Sequence, residues 1–494
     1  MTATDPDQAT DPGQATDPDQ ATGRDQATGP DRVAGSGQAG DPDGATRRTI
    51  EAVWRIESAR IIAGLARLVQ DVGLAEELAQ DALVVALEQW PRAGVPPNPG
   101  GWLVSTAKHR AIDLLRRRTT YQRKLRELGR EIESRSEPTD PDLAAVLDDG
   151  QIDDDLLRLV FTACHPVLPT EGRVALTLRL LGGLRTDEIA RAFLVPESTV
   201  GQRITRAKRT LAAKRVPFEL PARTELADRL ASVFEVIYLV FNEGYSATTG
   251  DDWMRPTLCA EALRLGRILA RLMPQQAEVH GLLALMEIQA SRIRARTGPS
   301  GEPILLPDQD RRLWDRLLIR RGLEALDRAE ALGIGPYTLQ AAIAACHARA
   351  RSADQTDWVR IAALYRVLVH VSPSPIVELN RAVAVGMASG PADGLEIVDE
   401  LADEPVLASY PLLPAVRGDL LGRLGRYDEA RQEFERAAEL TRNARERKLF
   451  LDRAAEAAAA AAGAGRHSRA GNNTTPGSID SASGRTRVVD PTAG

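Results

Sequence analysis

The chain has 494 residues and a formal net charge of -6, with 63 Lys and Arg against 69 Asp and Glu. That balance excludes a protein coated in positive charge for general nucleic-acid binding, although local basic patches survive it. Aromatic residues make up only 4% of the chain while Ala, Leu and Arg abound, which predicts an all-α protein. Cys164, Cys259 and Cys346 are too few and too scattered for a disulfide framework or a CxxC metal site, as suits a reducing cytoplasm. No apolar run has membrane-spanning length and the N-terminus lacks a signal peptide's apolar core, so a soluble cytoplasmic protein is expected.

Residues 1–46 repeat an ATDPDQ-like hexad with almost nothing apolar to bury, the pattern of a disordered acidic tail. From Thr49 the pattern becomes helical. Ile50, Val53, Trp54, Ile61, Ile62, Leu65 and Leu68 give a first amphipathic helix, and Gly73 marks the expected turn. A second helix is read from Ala75 to Trp90, with Leu78, Ala82, Val85 and Gln89 on one face. Glu76, Glu77, Gln80 and Asp81 form an acidic surface near its start. The proline-rich stretch from Pro91 to Gly101 is expected to stop that helix.

A third helix, Gly101 to Arg118, buries Leu103, Ala107, Ala111, Leu114 and Leu115 and turns Trp102, Ser105, Lys108, His109, Arg116, Arg117 and Arg118 outward. Cations at a helix C-terminus complement its dipole, and an aromatic beside a basic face also suits single-stranded DNA. Residues 119–153 read as a charged linker, basic first and acidic later. The stretch TDEIARAFLVPESTVGQRITRAKRTL, from Thr186 to Leu211, reads as a helix-turn-helix. Thr186 is its expected N-cap, Pro196 lies at the break, and Val200, Ile204, Ala207 and Leu211 form the inward stripe of the second helix. Ser198, Thr199, Gln202, Arg203, Arg206, Lys208 and Arg209 are then the candidates for DNA contact, since guanidinium forks and amides suit a major groove.

The order AEELAQDAL, GWLVSTAKHRAIDLLRRR, charged spacer, TVGQRITRAKRTL resembles the extracytoplasmic-function sigma factors of the sigma-70 family, over about residues 50–215. The resemblance implies two helical domains, 47–118 and 154–216. In the first, Glu76, Glu77, Gln80 and Asp81 would lie in the helix that holds the β′ clamp of core RNA polymerase. Trp102, Ser105, Lys108, His109, Arg116 and Arg117 would serve the promoter -10 element. In the second, the Pro196 to Lys214 helix would sit on the -35 element, beside the β flap. His109 stands where the family often has Asn, a departure bearing on -10 preference.

From Thr224 to about Phe241 an apolar helix is expected, followed by a loop, NEGYSATTGDDWMR, with Tyr245 and Trp253. This segment resembles a sub-group of the family that carries a tetratricopeptide-like extension. Ile361, Leu395 and Ala430 recur with the 34–35-residue period of such repeats, as do Trp358, Ala392 and Tyr427, and Leu368, Ala402 and Ala437. A TPR-like α-solenoid is therefore expected over 217–461, with a concave face for a protein partner, and a disordered tail over 462–494. Cys164-His165 and Cys346-His347 lack further ligands at metal spacing, and neither a Walker loop nor a nucleophile elbow is present. No cofactor and no catalysis are expected. A free-standing helix-turn-helix regulator with a repeat sensor, or a repeat scaffold, shares parts of the pattern. Neither needs the acidic second helix and the basic third helix together.

Overall fold

A computed structural model describes residues 42–129, 152–246, 254–299 and 301–470. The acidic hexads, most of the charged linker, Trp253 and the end of the C-terminal tail lie outside the described residues. The described residues are helical, with no strand among them beyond an isolated bridge between Thr297 and Pro303.

Three helices come first: α1 (Pro42–Val69), α2 (Val72–Ala93) and α3 (Pro99–Gly129). Gln70, at φ 54°, and Asp71 make the first turn, and the Asp71 carboxylate caps α2 by accepting from Leu74 N at 3.0 Å. Gly73 therefore lies inside α2, because a capping carboxylate starts the helix two residues earlier than the glycine suggested. Pro91 does not stop α2 either. In the last turn a proline removes a single donor, so the helix runs on to Ala93 and closes with Gly94 N donating to Trp90 O. The buried series on α2 is Leu78, Ala82, Ala86 and Trp90, a strict four-residue step, and Gln89 is exposed where a buried position was expected. Leu103, Ala107 and Ala111 of α3 are buried, and this helix continues past Arg118 to Gly129.

The second group is α4 (Ile152–Ala163), α5 (Thr170–Leu180), α6 (Thr186–Phe193) and α7 (Glu197–Ala213). Thr186 is the first residue of α6 rather than its cap. The N–H of Arg185, one residue earlier, donates to Glu188 Oε2 at 2.8 Å. Leu194 ends α6 in the left-handed region, at φ 50° and ψ 42°, which turns the chain sharply into Pro196 and α7. The inward stripe of α7 is Val200, Ile204, Ala207 and Leu211, all buried.

Beyond these come α8 (Leu226–Tyr245), α9 (Pro256–Leu272) and α10 (Ala277–Ala290). Asn242 to Tyr245, expected in a loop, form the last turn of α8. Gly244 there is required by packing: a Cβ would stand 2.6 Å from Cys259 N of α9. Helices α11 (Arg316–Leu332), α12 (Pro336–Arg349), α13 (Trp358–Val371), α14 (Pro375–Ala388), α15 (Pro391–Glu400), α16 (Leu412–Arg423), α17 (Tyr427–Leu440) and α18 (Ala444–Ala470) follow. From α11 onward each helix packs on the next. Ile361, Leu395 and Ala430 are buried on α13, α15 and α17, and Trp358, Ala392 and Tyr427 stand at the first or second residue of those helices. Leu368 and Ala437 are buried as well, whereas Ala402 lies just past α15 and is exposed.

One continuous hydrophobic core extends from Ile50 to Ala290 and joins the first three helices, the helix-turn-helix group and α8 to α10. Separate cores serve the later helices. Between α5 and α8 the packing includes buried polar bonds: Arg173 Nη1 donates to Ser232 Oγ at 2.5 Å, and Ser232 Oγ donates to Cys164 O at 2.6 Å.

Candidate nucleic-acid and polymerase interface

On α7, the residues left outside its buried stripe divide into two sets. Ser198, Gln202, Arg206 and Arg209 are exposed and Thr199 is half-buried in the first turn. Arg203 is half-buried and lines a groove with Val174, Ile189, Phe193, Val195 and Leu239. Lys208 differs from all of these. Its ammonium is ion-paired with Glu76 of α2, so this candidate DNA contact faces another part of the molecule.

On α3, Ser105, His109, Arg116, Arg117 and Arg118 are exposed, and Lys108 is half-buried. Trp102 is not a free stacking platform. It is half-buried and meets Trp90 of α2 edge to face, with ring centroids 5.4 Å apart. Such a pair fixes the entry of α3 against α2 and leaves part of the indole toward solvent.

On α2 the acidic surface is split by the helix periodicity. Glu77 and Asp81 are exposed and Gln80 is half-buried, but Glu76 is 3% exposed and belongs to the interior. Its Oε1 accepts from Arg179 Nε of α5 at 2.7 Å and its Oε2 faces Lys208 of α7. Burial alone would push the Glu76 carboxyl up; the Lys208 and Arg179 cations outweigh it and hold the group below the usual carboxylate range. Asp81 pairs with Arg110 of α3 at 3.1 Å, with both side chains open to solvent.

The sequence reading did not single out Val84 and Leu87, which are exposed on α2 at 50% and 41%. Glu77, Asp81, Val84 and Glu88 follow one another at helical spacing, so a mixed acidic and apolar stripe faces solvent. The same spacing was present in the sequence, but an apolar residue such as Val84 carries no signal there of a surface role. Arg179 was also missed, since a lone arginine in an apolar helix carries no signal of its distant partner.

More ion pairs cross between the first three helices and the helix-turn-helix group. Arg67 of α1 meets the buried Asp155 of α4 at 3.0 Å, and Arg55 meets Glu188 of α6 at 3.0 Å. Among the described residues there is no group of three or more His, Cys, Asp or Glu arranged to hold a metal ion, and no helix is long and apolar enough to cross a membrane.

An all-helical chain with a helix-turn-helix, whose α7 and α3 both present exposed arginines, belongs to the class of helical DNA-binding proteins. Comparison with known proteins narrows this. Residues 56–121 match Sigma-70 region 2, residues 158–211 match Sigma-70, region 4, and residues 229–330 match a family of unknown function, DUF6596. An uncharacterized protein of Rhizobium meliloti (strain 1021) is 46% identical over 383 residues, spanning 77% of this chain and 89% of that protein. The matches to regions 2 and 4 support a sigma factor of the sigma-70 family. Members of that family are transcription initiation factors rather than enzymes, and the two regions imply core RNA polymerase and promoter DNA as partners.

Proposed function

We propose that the chain is a sigma factor of the extracytoplasmic-function group, with region 2 over 47–118, region 4 over 154–216 and a TPR-like regulatory extension over 217–461. In this reading the solvent-facing stripe of α2, Glu77, Asp81 and Val84, docks on the β′ clamp, with Gln80 at its edge. Helix α3 serves the -10 element through Lys108, His109, Arg116 and Arg117, with Ser105 and the open edge of Trp102 beside them. Helix α7 serves the -35 element through Ser198, Thr199, Gln202, Arg203, Arg206 and Arg209, and the β flap lies alongside region 4. The observation that carries the reading is the pairing of two basic helices, α3 and α7, with an acidic and apolar stripe on α2, which precedes both in sequence. A DNA-binding regulator that works alone has no use for that stripe.

Support for the extension comes from Ile361, Leu395 and Ala430, which take equivalent buried places on alternate helices. A concave face of stacked helix pairs suits a protein segment.

The test is core association by the double charge reversal Glu77→Lys and Asp81→Lys. Both side chains are exposed, so the fold should be retained, and the Asp81–Arg110 pair it breaks contributes little in solvent. The expected result is loss of co-purification with core polymerase at an unchanged melting temperature. Undiminished association would overturn the assignment of α2.

A further inference from the structure

We propose that two copies of the chain pair through the outer faces of α13 and α15, with α13 of each copy lying against α15 of the other. The inference stands on the helical extension alone and is independent of the sigma-factor reading.

The outer face of α13 is apolar where a surface helix is ordinarily polar. Val359, Ala363, Val367 and Val371 recur every four residues and share one stripe, and all are exposed, the valines at 71%, 47% and 46%. Arg360, Arg366 and His370 are exposed beside them, and the helix holds no acidic residue. Single exposed apolar side chains are ordinary, but a row of them on one helix marks an interaction surface. On α15 the character is reversed. Asp393, Glu396, Asp399 and Glu400 are exposed, the helix holds no cation, and Val406 just beyond it is 65% exposed. Neither set of charges is neutralised within the molecule. Arg360, Arg366, His370, Asp393, Glu396 and Glu400 form no ion pair among the described residues, whereas Asp399 meets Arg417 at 2.9 Å.

Register identifies the occupant as a second copy. Ile361 of α13 and Leu395 of α15 are 34 residues apart and take equivalent buried places, so the two helices are successive forms of one repeat element and turn corresponding positions outward. Arg366 and Glu400 are also 34 residues apart, at corresponding exposed positions with opposite charge. A two-fold axis running along and between α13 and α15 therefore sets Arg366 of each copy opposite Glu400 of the other, in both directions, as an isologous interface requires. Val359 and Val371 correspond in register to the neighbours of Ala392 and Val406, so the same rotation lays the ends of the valine stripe on exposed apolar residues. Pairing α13 on α13 would instead set cations against cations. Exposed ion pairs contribute little affinity, so the apolar stripe supplies the attraction while the charges choose partner and register.

The test is the mass of the full-length chain by analytical ultracentrifugation over a range of concentrations. Wild-type protein should pass from monomer to dimer as concentration rises, and a monomer throughout overturns the proposal. Val367→Glu, Arg366→Glu and Glu400→Arg change exposed side chains, so each should melt with the wild type. Val367→Glu should abolish the dimer. Arg366→Glu should weaken it about tenfold, because like charges then meet at both Glu400 contacts, and Glu400→Arg should do the same from the other side. Mixing the Arg366→Glu chain with the Glu400→Arg chain makes both contacts attractive again, so the mixed dimer should form with wild-type affinity. A dimer indifferent to all three substitutions belongs to another surface and overturns the proposal, and a mixture no tighter than either variant alone contradicts the α13-on-α15 register.

Discussion

Helices α3 and α7 are both rich in basic residues, yet the molecule uses their outer faces differently. On α3 the terminal Arg116, Arg117 and Arg118 are all exposed. On α7 the cations are divided: Arg206 and Arg209 reach solvent while Lys208 is seated on Glu76 of α2. Helical periodicity tells which residues leave a helix's own domain. It does not tell which of them another domain then covers, and that depends on a carboxylate more than a hundred residues away in sequence.

The division on α7 depends most on Glu76. Glu76→Ala leaves Arg179 and Lys208 partly buried without their shared counter-charge, and urea unfolding should show a loss of about 3 kcal/mol. Glu77→Ala, one residue on and exposed, should stay within about 0.5 kcal/mol. The pH dependence follows from the sign of the shift. Because the folded carboxyl lies below its ordinary value of 4.5, its contribution is complete above that value and is lost as the pH falls through the folded pKa. The stability difference between wild type and Glu76→Gln should therefore be flat from pH 6 to 8 and shrink only in acid.

Next in size is Trp102→Ala on α3. It removes an edge-to-face partner of the buried Trp90, and a cost of about 2 kcal/mol is expected in the same unfolding experiment. Trp102→Phe should recover most of it, which separates packing from any role in strand opening. The smallest effects on folding belong to the exposed cations. Arg206→Ala and Arg116→Ala should leave stability within about 0.5 kcal/mol while lowering the salt slope of DNA binding by about one each, if each meets a phosphate. Lys208→Ala should lower that slope less in the free chain than Arg206→Ala, and equal slopes would mean that the two lysine and arginine positions are equally available.

Much of this architecture was legible in the sequence because helices announce themselves by period. The inward stripe of α7, the buried Leu103, Ala107 and Ala111 of α3, and the recurrence of Ile361, Leu395 and Ala430 all follow from spacing alone. The ends of helices were less legible. Asp71 started α2 before Gly73, and Pro91 was absorbed in the last turn, because caps depend on one side chain and one missing donor rather than on a pattern. The candidate site was legible residue by residue but not as an arrangement. Glu76 and Glu77 look alike in the sequence, and only the approach of α5 and α7 buries one and leaves the other in water. Likewise Val84 and Leu87 carry no signal of a surface role in the sequence, and among the described residues they stay exposed.

Transcription from duplex DNA tests the sigma-factor function most directly. Purified core polymerase given the full-length chain should start transcription at discrete sites on a genomic template, and the mapped starts should share two sequence blocks upstream, the distal one lost with Arg203→Ala and Arg206→Ala. Transcripts indistinguishable from those of core polymerase alone would contradict it.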